Sequence, residues 1–232
     1  MHFNFQFTCR RNRVSSGHQS MNTDSFLKQR LLCITVVDRV DDAVPLAEAL
    51  LAGGLNVMEI TFRTAAAAES IKRIRGSVPQ MAIGAGTLLT SDNVKQAVDV
   101  GAQFGVSPGL NEAVLDVAKQ YQMPFFPGVM TPTEVDRAIG LGWKHLKFFP
   151  AENAGGAKML KALAGPFAHT GVKFVPTGSI NAELLPDYLA VPQVAAVGGS
   201  WMADRKFITE KAWAKITALT AEALKIIARA KT

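Results

Sequence analysis

From Leu31 onward, short apolar runs alternate with longer amphipathic ones. Eight runs can be read: LLCITVV (31–37), VMEITF (57–62), MAIGAGT (81–87), FGVSP (104–108), FFPGV (125–129), HLKFFP (145–150), KFVPTGS (173–179) and VAAVGGS (194–200). They are rich in Val, Ile, Phe and Ala and mostly close on or beside Gly, Pro, Ser or Thr, the pattern of buried strands that turn sharply into helices. Between them, DDAVPLAEALLA (41–52) opens with acids and stops at Gly53-Gly54. Ser91-Asp92-Asn93 offers an N-cap for a helix running to Val100 and stopped by Gly101, and Thr131-Pro132-Thr133-Glu134 starts another that ends at Gly140. Residues 207–230 read as one long amphipathic helix.

Repeated strand–helix units imply right-handed crossovers and a parallel sheet. Eight units of about 25 residues each favour a single (β/α)8 TIM barrel over an open sheet. The open alternative calls for a glycine-rich fingerprint after the first strand, where this chain has Asp38-Arg39. A barrel of this kind carries its chemistry at the C-terminal ends of the strands, which confines the search for a site to a few positions.

Composition narrows the picture in three ways. No apolar stretch is long enough to span a bilayer, so no membrane partner is expected. The two cysteines, Cys9 and Cys33, form no C-x-x-C, which points to a reducing, cytoplasmic setting. The four histidines are scattered without ligand spacing, so no metal is expected.

The net charge of +6 could suggest nucleic acid, but Arg10, Arg11 and Arg13 lie in a first stretch of twenty residues that holds no acid. The rest of the chain has no basic stripe interleaved with aromatics, so nucleic acid is not an expected partner. That first stretch lacks helical periodicity, a long apolar core and a cleavage site, and Met21 opens a segment that reads as a mature beginning. The expectation is therefore a disordered basic extension over 1–22 followed by one barrel domain over 23–232.

The chemistry stands out against this apolar background. Lys147, in His145-Leu146-Lys147-Phe148-Phe149-Pro150, is a lysine in the middle of an apolar strand, costly unless paired or neutral. Alternation puts Leu146 and Phe148 on the helix-facing side and Lys147 inside. Burial disfavours an ammonium, and a neutral amine can attack a ketone carbon; such a lysine-based covalent cycle requires no organic cofactor. The competing reading is a lysine that snorkels to solvent from a strand end. In Val57–Arg63, Met58, Ile60 and Phe62 share one face and Glu59, Thr61 and Arg63 the other. Glu59 could shuttle protons, and Arg63 suits two-point capture of a carboxylate. A purely structural buried Glu–Arg or Glu–Lys pair is the alternative. The last two runs close on Pro176-Thr177-Gly178-Ser179 and Gly198-Gly199-Ser200, where barrels frequently bind phosphate.

The segments EITFRT (59–64), GAGT (84–87), FGVSPGL (104–110), PFFPGV (124–129), LKFFPAE (146–152), PTGSI (176–180) and VGGSWM (197–202) closely resemble, in order, the 2-keto-3-deoxy-6-phosphogluconate (KDPG) aldolases, a family that includes 4-hydroxy-2-oxoglutarate (KHG) aldolases. The resemblance runs from about Phe26 to the end of the chain. It implies a class I, Schiff-base aldolase that cleaves a phosphorylated keto acid into pyruvate and glyceraldehyde 3-phosphate. KHG, giving pyruvate and glyoxylate, would be a second substrate. It assigns the Schiff-base lysine to Lys147 and the general acid–base to Glu59. Arg63 would meet the substrate carboxylate, with Thr87 and Pro108 lining the pyruvyl pocket, Phe149 packing on the bound chain and Thr177 near its hydroxyls. Gly178, Ser179, Gly199 and Ser200 would hold the phosphate, and the assembly would be a homotrimer.

One departure matters: family members often have a second glycine where this chain has Ser179. A backbone with φ > 0 there would strain a serine, while its hydroxyl could add a hydrogen bond. Apart from the resemblance, the pocket also admits a phosphate-binding isomerase or epimerase, or a non-catalytic sugar-phosphate sensor.

Overall fold

The computed structural model describes residues 23–230; the expected basic extension over 1–22 lies outside them. Nine short strands run in parallel: β1 (Leu31–Thr35), β2 (Val57–Thr61), β3 (Ala82–Gly86), β4 (Phe104–Val106), β5 (Phe125–Phe126), β6 (Gly128–Val129), β7 (His145–Phe148), β8 (Lys173–Pro176) and β9 (Val197–Gly199). They form a six-stranded sheet in the order β5-β4-β3-β2-β1-β9 and a three-stranded sheet in the order β6-β7-β8. The result is an α/β fold with curled parallel sheets. The inner face of β2 carries Glu59 and Thr61 in register with Gly84 and Gly86 of β3, and the outer faces pack under the helices.

The expected strands are present, but the run at 125–129 divides. Proline has no N–H for the ladder, so regular pairing is interrupted at Pro127, although its carbonyl still accepts from Lys147 N at 2.9 Å. Residues 125–126 pair with β4, and 128–129 pair with β7. Two isolated parallel bridges, Phe174↔Val194 and Thr177↔Gly198, join β8 to the region of β9.

The helices follow the sequence signals with two corrections. The cap expected within 91–93 is Thr90, whose hydroxyl accepts from Asn93 N at 3.1 Å and starts Ser91–Asp99. The single helix expected over 207–230 is two, Arg205–Thr209 and Trp213–Arg229. Lys211 adopts φ +53 between them, a left-handed residue that ends one helix and re-aims the next, a break that amphipathic periodicity does not reveal. Thr131 and Glu134 form the reciprocal capping box that fixes the start of Pro132–Gly140.

The N-terminal ends of the strands are covered by the first described helix, Asp24–Leu27. Phe26 packs on Phe104 with the rings tilted by 40° and their centroids 4.9 Å apart, and Phe104 meets Phe126 edge-on at 5.7 Å. The Thr23 hydroxyl lies 2.6 Å from His145 Nδ1, and Asp24 lies 2.9 Å from its Nε2. This aromatic layer closes one end of the sheet and leaves the C-terminal ends open. Among the described residues no helix is long and apolar enough to cross a membrane.

Candidate active site

At the C-terminal ends of the strands lies a cavity of about 250 Å³. Every position expected to bind substrate reaches it: Arg63 after β2, Thr87 after β3, Pro108 after β4, Phe149 after β7, Thr177–Ser179 after β8, and Gly199–Ser200 at the end of β9. Lys147 lines it from β7 and is buried. Its Nζ lies 5.2 Å from the centre of the Phe149 ring, over the ring face. The snorkelling alternative therefore does not describe this side chain.

Glu59 is placed differently. It is fully buried and does not line the cavity. Thr35 donates its hydroxyl to the Glu59 carbonyl at 3.1 Å, and Thr61 returns a hydroxyl to the Thr35 carbonyl at the same distance. These cross-strand bonds hold β2 against β1. The carboxylate occupies space left by Gly86, where any Cβ would fall on its oxygen and carboxyl carbon. Neither carboxylate oxygen has a hydrogen-bond partner, and among the described residues Glu59 forms no ion pair. A buried Glu–Arg or Glu–Lys salt bridge, the structural alternative, is thus not formed. Burial pushes the Glu59 carboxyl above the ordinary carboxylate range, while Lys147 and Arg63 pull it back.

Arg63 is steered by its Nε, which donates to Thr61 Oγ1 at 3.1 Å, so its guanidinium stays at the cavity. On the opposite side the chain supplies backbone. Gly178 has φ +110 and Ser179 φ +58, so the strain anticipated for a serine at this position is present. Thr87, at φ +57, is also left-handed. Gly198 and Gly199 bring β9 close to the cavity, and Ser200 follows with its side chain exposed.

Ile34, Ile180 and Thr61 complete the lining. Strand alternation places Thr61 on the inner face, but neither isoleucine stands out in the sequence. The same alternation could have found Ile34, which lies opposite Glu59 in the ladder; Ile180 stands in a turn with no comparable signal. Among the described residues, no cluster of three or more His, Cys, Asp or Glu could hold a metal ion.

The arrangement can do specific chemistry. It sets an amine and a guanidinium at one end of the pocket, with the buried Glu59 carboxyl behind the wall, and the glycine-rich turns with the Thr177, Ser179 and Ser200 hydroxyls at the other. The family model described as KDPG and KHG aldolase matches residues 23–219. A 2-dehydro-3-deoxy-phosphogluconate aldolase of Treponema pallidum is 45% identical over 198 residues, covering 85% of this chain and 93% of that protein. The KDPG aldolase of Legionella pneumophila, solved with pyruvate captured at low pH as a covalent carbinolamine, is 40% identical. It superposes with a TM-score of 0.82 over 85% of this chain and 95% of its own. The 2-keto-3-deoxy-6-phosphogluconate aldolase of Zymomonas mobilis, solved with 3-phosphoglycerate, is also 40% identical, with a TM-score of 0.79 over 88% and 96% of the two chains. By its motifs, its pocket and its likeness to these enzymes, the chain belongs to the KDPG and KHG aldolase family.

Proposed function

We propose that this protein is a class I aldolase that cleaves 2-dehydro-3-deoxy-6-phosphogluconate into pyruvate and glyceraldehyde 3-phosphate, and 4-hydroxy-2-oxoglutarate into pyruvate and glyoxylate by the same steps. The observation that carries the reading is the burial of Lys147 at the cavity, together with a fully buried Glu59 whose carboxyl has no hydrogen-bond partner and is pushed up by burial and drawn back by Lys147 and Arg63. Such an arrangement costs stability and is expected where a proton must move.

In the proposed cycle the Lys147 amine attacks the C2 ketone to give a carbinolamine, and loss of water leaves an iminium. Glu59 supplies the proton for that water and then, as carboxylate, takes the C4 hydroxyl proton. The C3–C4 bonding pair moves into the iminium, releasing the aldehyde and leaving an enamine. Glu59 returns its proton to C3, and hydrolysis frees pyruvate and the amine. Arg63 holds the substrate carboxylate in a two-point grip, with Thr87 and Pro108 shaping the space around the pyruvyl group. Phe149 packs on the chain, Thr177 meets its hydroxyls, and Gly178, Ser179, Gly199 and Ser200 bind the phosphate. An isomerase or a sensor would leave the buried amine without a task.

The same reading takes the two sheets as one closed (β/α)8 barrel within a domain spanning 23–232. Support comes from the single residue, Pro127, between β5 and β6, and from the Thr177↔Gly198 bridge across the other seam. It also places the enzyme in the cytoplasm as a homotrimer, with the free, buried Cys33 suited to a reducing compartment. The test is mass spectrometry after incubation with pyruvate and borohydride. A reduced pyruvyl adduct on Lys147 is expected; an adduct confined to surface lysines, or none, would sink the aldolase reading.

A further inference from the structure

Outside the cavity, one buried polar pair is not used by the mechanism. Tyr188, in the helix Leu185–Leu189, is fully buried and donates its hydroxyl to Glu152 Oε1. Glu152 is half-buried in the turn that directly follows Lys147-Phe148-Phe149-Pro150. That turn is stitched to the next one along the sheet. Ala151 N donates to the Thr177 carbonyl at 2.8 Å, and Glu152 N donates to the Gly178 carbonyl at 3.3 Å. Thr177 N in turn donates to the Phe148 carbonyl at 2.9 Å. Packing is equally close: a Cβ on Gly178 would lie 3.2 Å from Ala151 N and 3.3 Å from the Phe149 ring and from Pro150 Cα.

Resting on the functional reading above, we infer that the Glu152–Tyr188 pair is a positioning device for the phosphate end of the substrate. It ties the turn after β7 to the helix after β8, so that Phe149 and the Thr177–Ser179 backbone keep one spacing. The argument is geometric. The Thr177–Ser179 turn has left-handed backbone at two successive residues, and its carbonyls are bonded to the neighbouring turn at Ala151 and Glu152. That neighbouring turn takes its own anchor from Tyr188, a large side chain with a fully buried ring. A buried phenol bonded to a carboxylate is a directional clamp that apolar packing alone would not provide. Burial and the adjacent Glu152 hold this phenol protonated well above the ordinary tyrosine range, so it donates throughout the working pH range. Neither residue lines the cavity, so the effect on substrate is indirect. Lys147 is held by the β7–β8 ladder and Arg63 by its bond to Thr61, so the pair is expected to act mainly on the phosphate end.

The test is a comparison of Tyr188→Phe, Glu152→Ala and Glu152→Gln in the full chain. Two readouts are made: steady-state cleavage of the phosphorylated substrate, and the rate of borohydride trapping of pyruvate on Lys147. Tyr188→Phe and Glu152→Ala are each expected to raise KM for the phosphorylated substrate about tenfold, with kcat and trapping within about twofold of wild type. The double variant is expected to be no worse than either alone, because both remove one interaction. Glu152→Gln keeps an acceptor for the phenol and is expected to retain a near-native KM. An unchanged KM in Tyr188→Phe overturns the inference, as does an equal loss of trapping and cleavage, the signature of general structural damage. A wild-type chain that does not trap pyruvate on Lys147 overturns the functional reading itself, and the inference with it, by a distinguishable result.

Discussion

On the β2–β7 side of the cavity the groups are ionisable side chains, Arg63 and Lys147 on the wall and Glu59 buried behind it, carried on strands or immediately after them. On the β8–β9 side they are backbone and hydroxyls, in turns where Gly178 and Ser179 adopt φ of +110 and +58. The first side gives up solvation energy: a carboxyl is fully buried with neither oxygen hydrogen-bonded. The second gives up conformational energy, placing a serine where glycine is at ease. The two costs suit two tasks. Moving protons needs groups whose charge state is poised by burial, whereas holding a dianion that does not react needs fixed dipoles whose orientation never changes.

The sharpest way to break the comparison is to remove the amine. Lys147→Ala is expected to lower cleavage on the order of 10⁴-fold or more, and to abolish the pyruvate adduct, while the fold persists. Circular dichroism together with trapping would check both halves. Next in size is Gly86→Ala, which adds one methyl group in the space that the Glu59 carboxylate fills. Displacing that carboxyl by about 1 Å should cost on the order of 10²-fold in kcat. KM for the phosphorylated end should be little changed, because no β8 or β9 residue is touched. A comparable rise in KM would show that the two sides are not separable.

The two sides also differ in how far the sequence reveals them. Glu59 and Lys147 are conspicuous because each interrupts an apolar strand, and strand alternation alone puts both on the inner face. Gly178, Ser179 and Gly199 are conspicuous only through their place at the ends of the last two runs, since glycine-rich turns are common. Thr87 and Pro108 are reached through the family resemblance, not through their own chemistry. Ile34 and Ile180 escape because an apolar lining residue looks like any core residue. The Glu152–Tyr188 pair joins positions 36 residues apart, and periodicity carries no information about such a contact. Likewise the ladder break at Pro127 and the left-handed Lys211 are local backbone events within otherwise regular patterns. The pattern of strands and helices is legible because burial enforces it; pairing of individual side chains is not.

A smaller effect tests the solvation cost of the first side. Because burial raises the Glu59 carboxyl above its ordinary value of 4.5, the folded chain binds a proton more tightly than the unfolded chain. The stability this provides is fully present below the unfolded value. It is lost as pH rises from there through the folded value, and Lys147 and Arg63 limit the loss. Glu59→Gln has no proton to lose. Its melting temperature, compared with wild type across that window, is expected to become progressively more favourable as pH rises. Glu134, whose carboxyl is lowered by bonds from Met130, Thr131 and the Thr131 hydroxyl, contributes the opposite slope, but equally to both chains. A difference between the two melting curves that does not change with pH would mean that Glu59 carries no burial cost.

The smallest effect tests the conformational cost of the second side. Ser179→Gly should relieve about 1 kcal/mol of left-handed strain while adding a comparable entropy to the unfolded chain, so the net change in stability is expected to be within about 1 kcal/mol. With stability nearly neutral, any gain from a serine has to come through its hydroxyl. Ser179 lines the cavity beside Gly178, and in the proposed function its hydroxyl would donate to the substrate phosphate in addition to the backbone N–H. The expected result is a severalfold rise in KM for the phosphorylated substrate, with KM for 4-hydroxy-2-oxoglutarate unchanged because that substrate has no phosphate to hold. If KM for the phosphorylated substrate is unchanged or falls, the hydroxyl adds nothing to binding, and the backbone of this turn alone defines that side of the cavity.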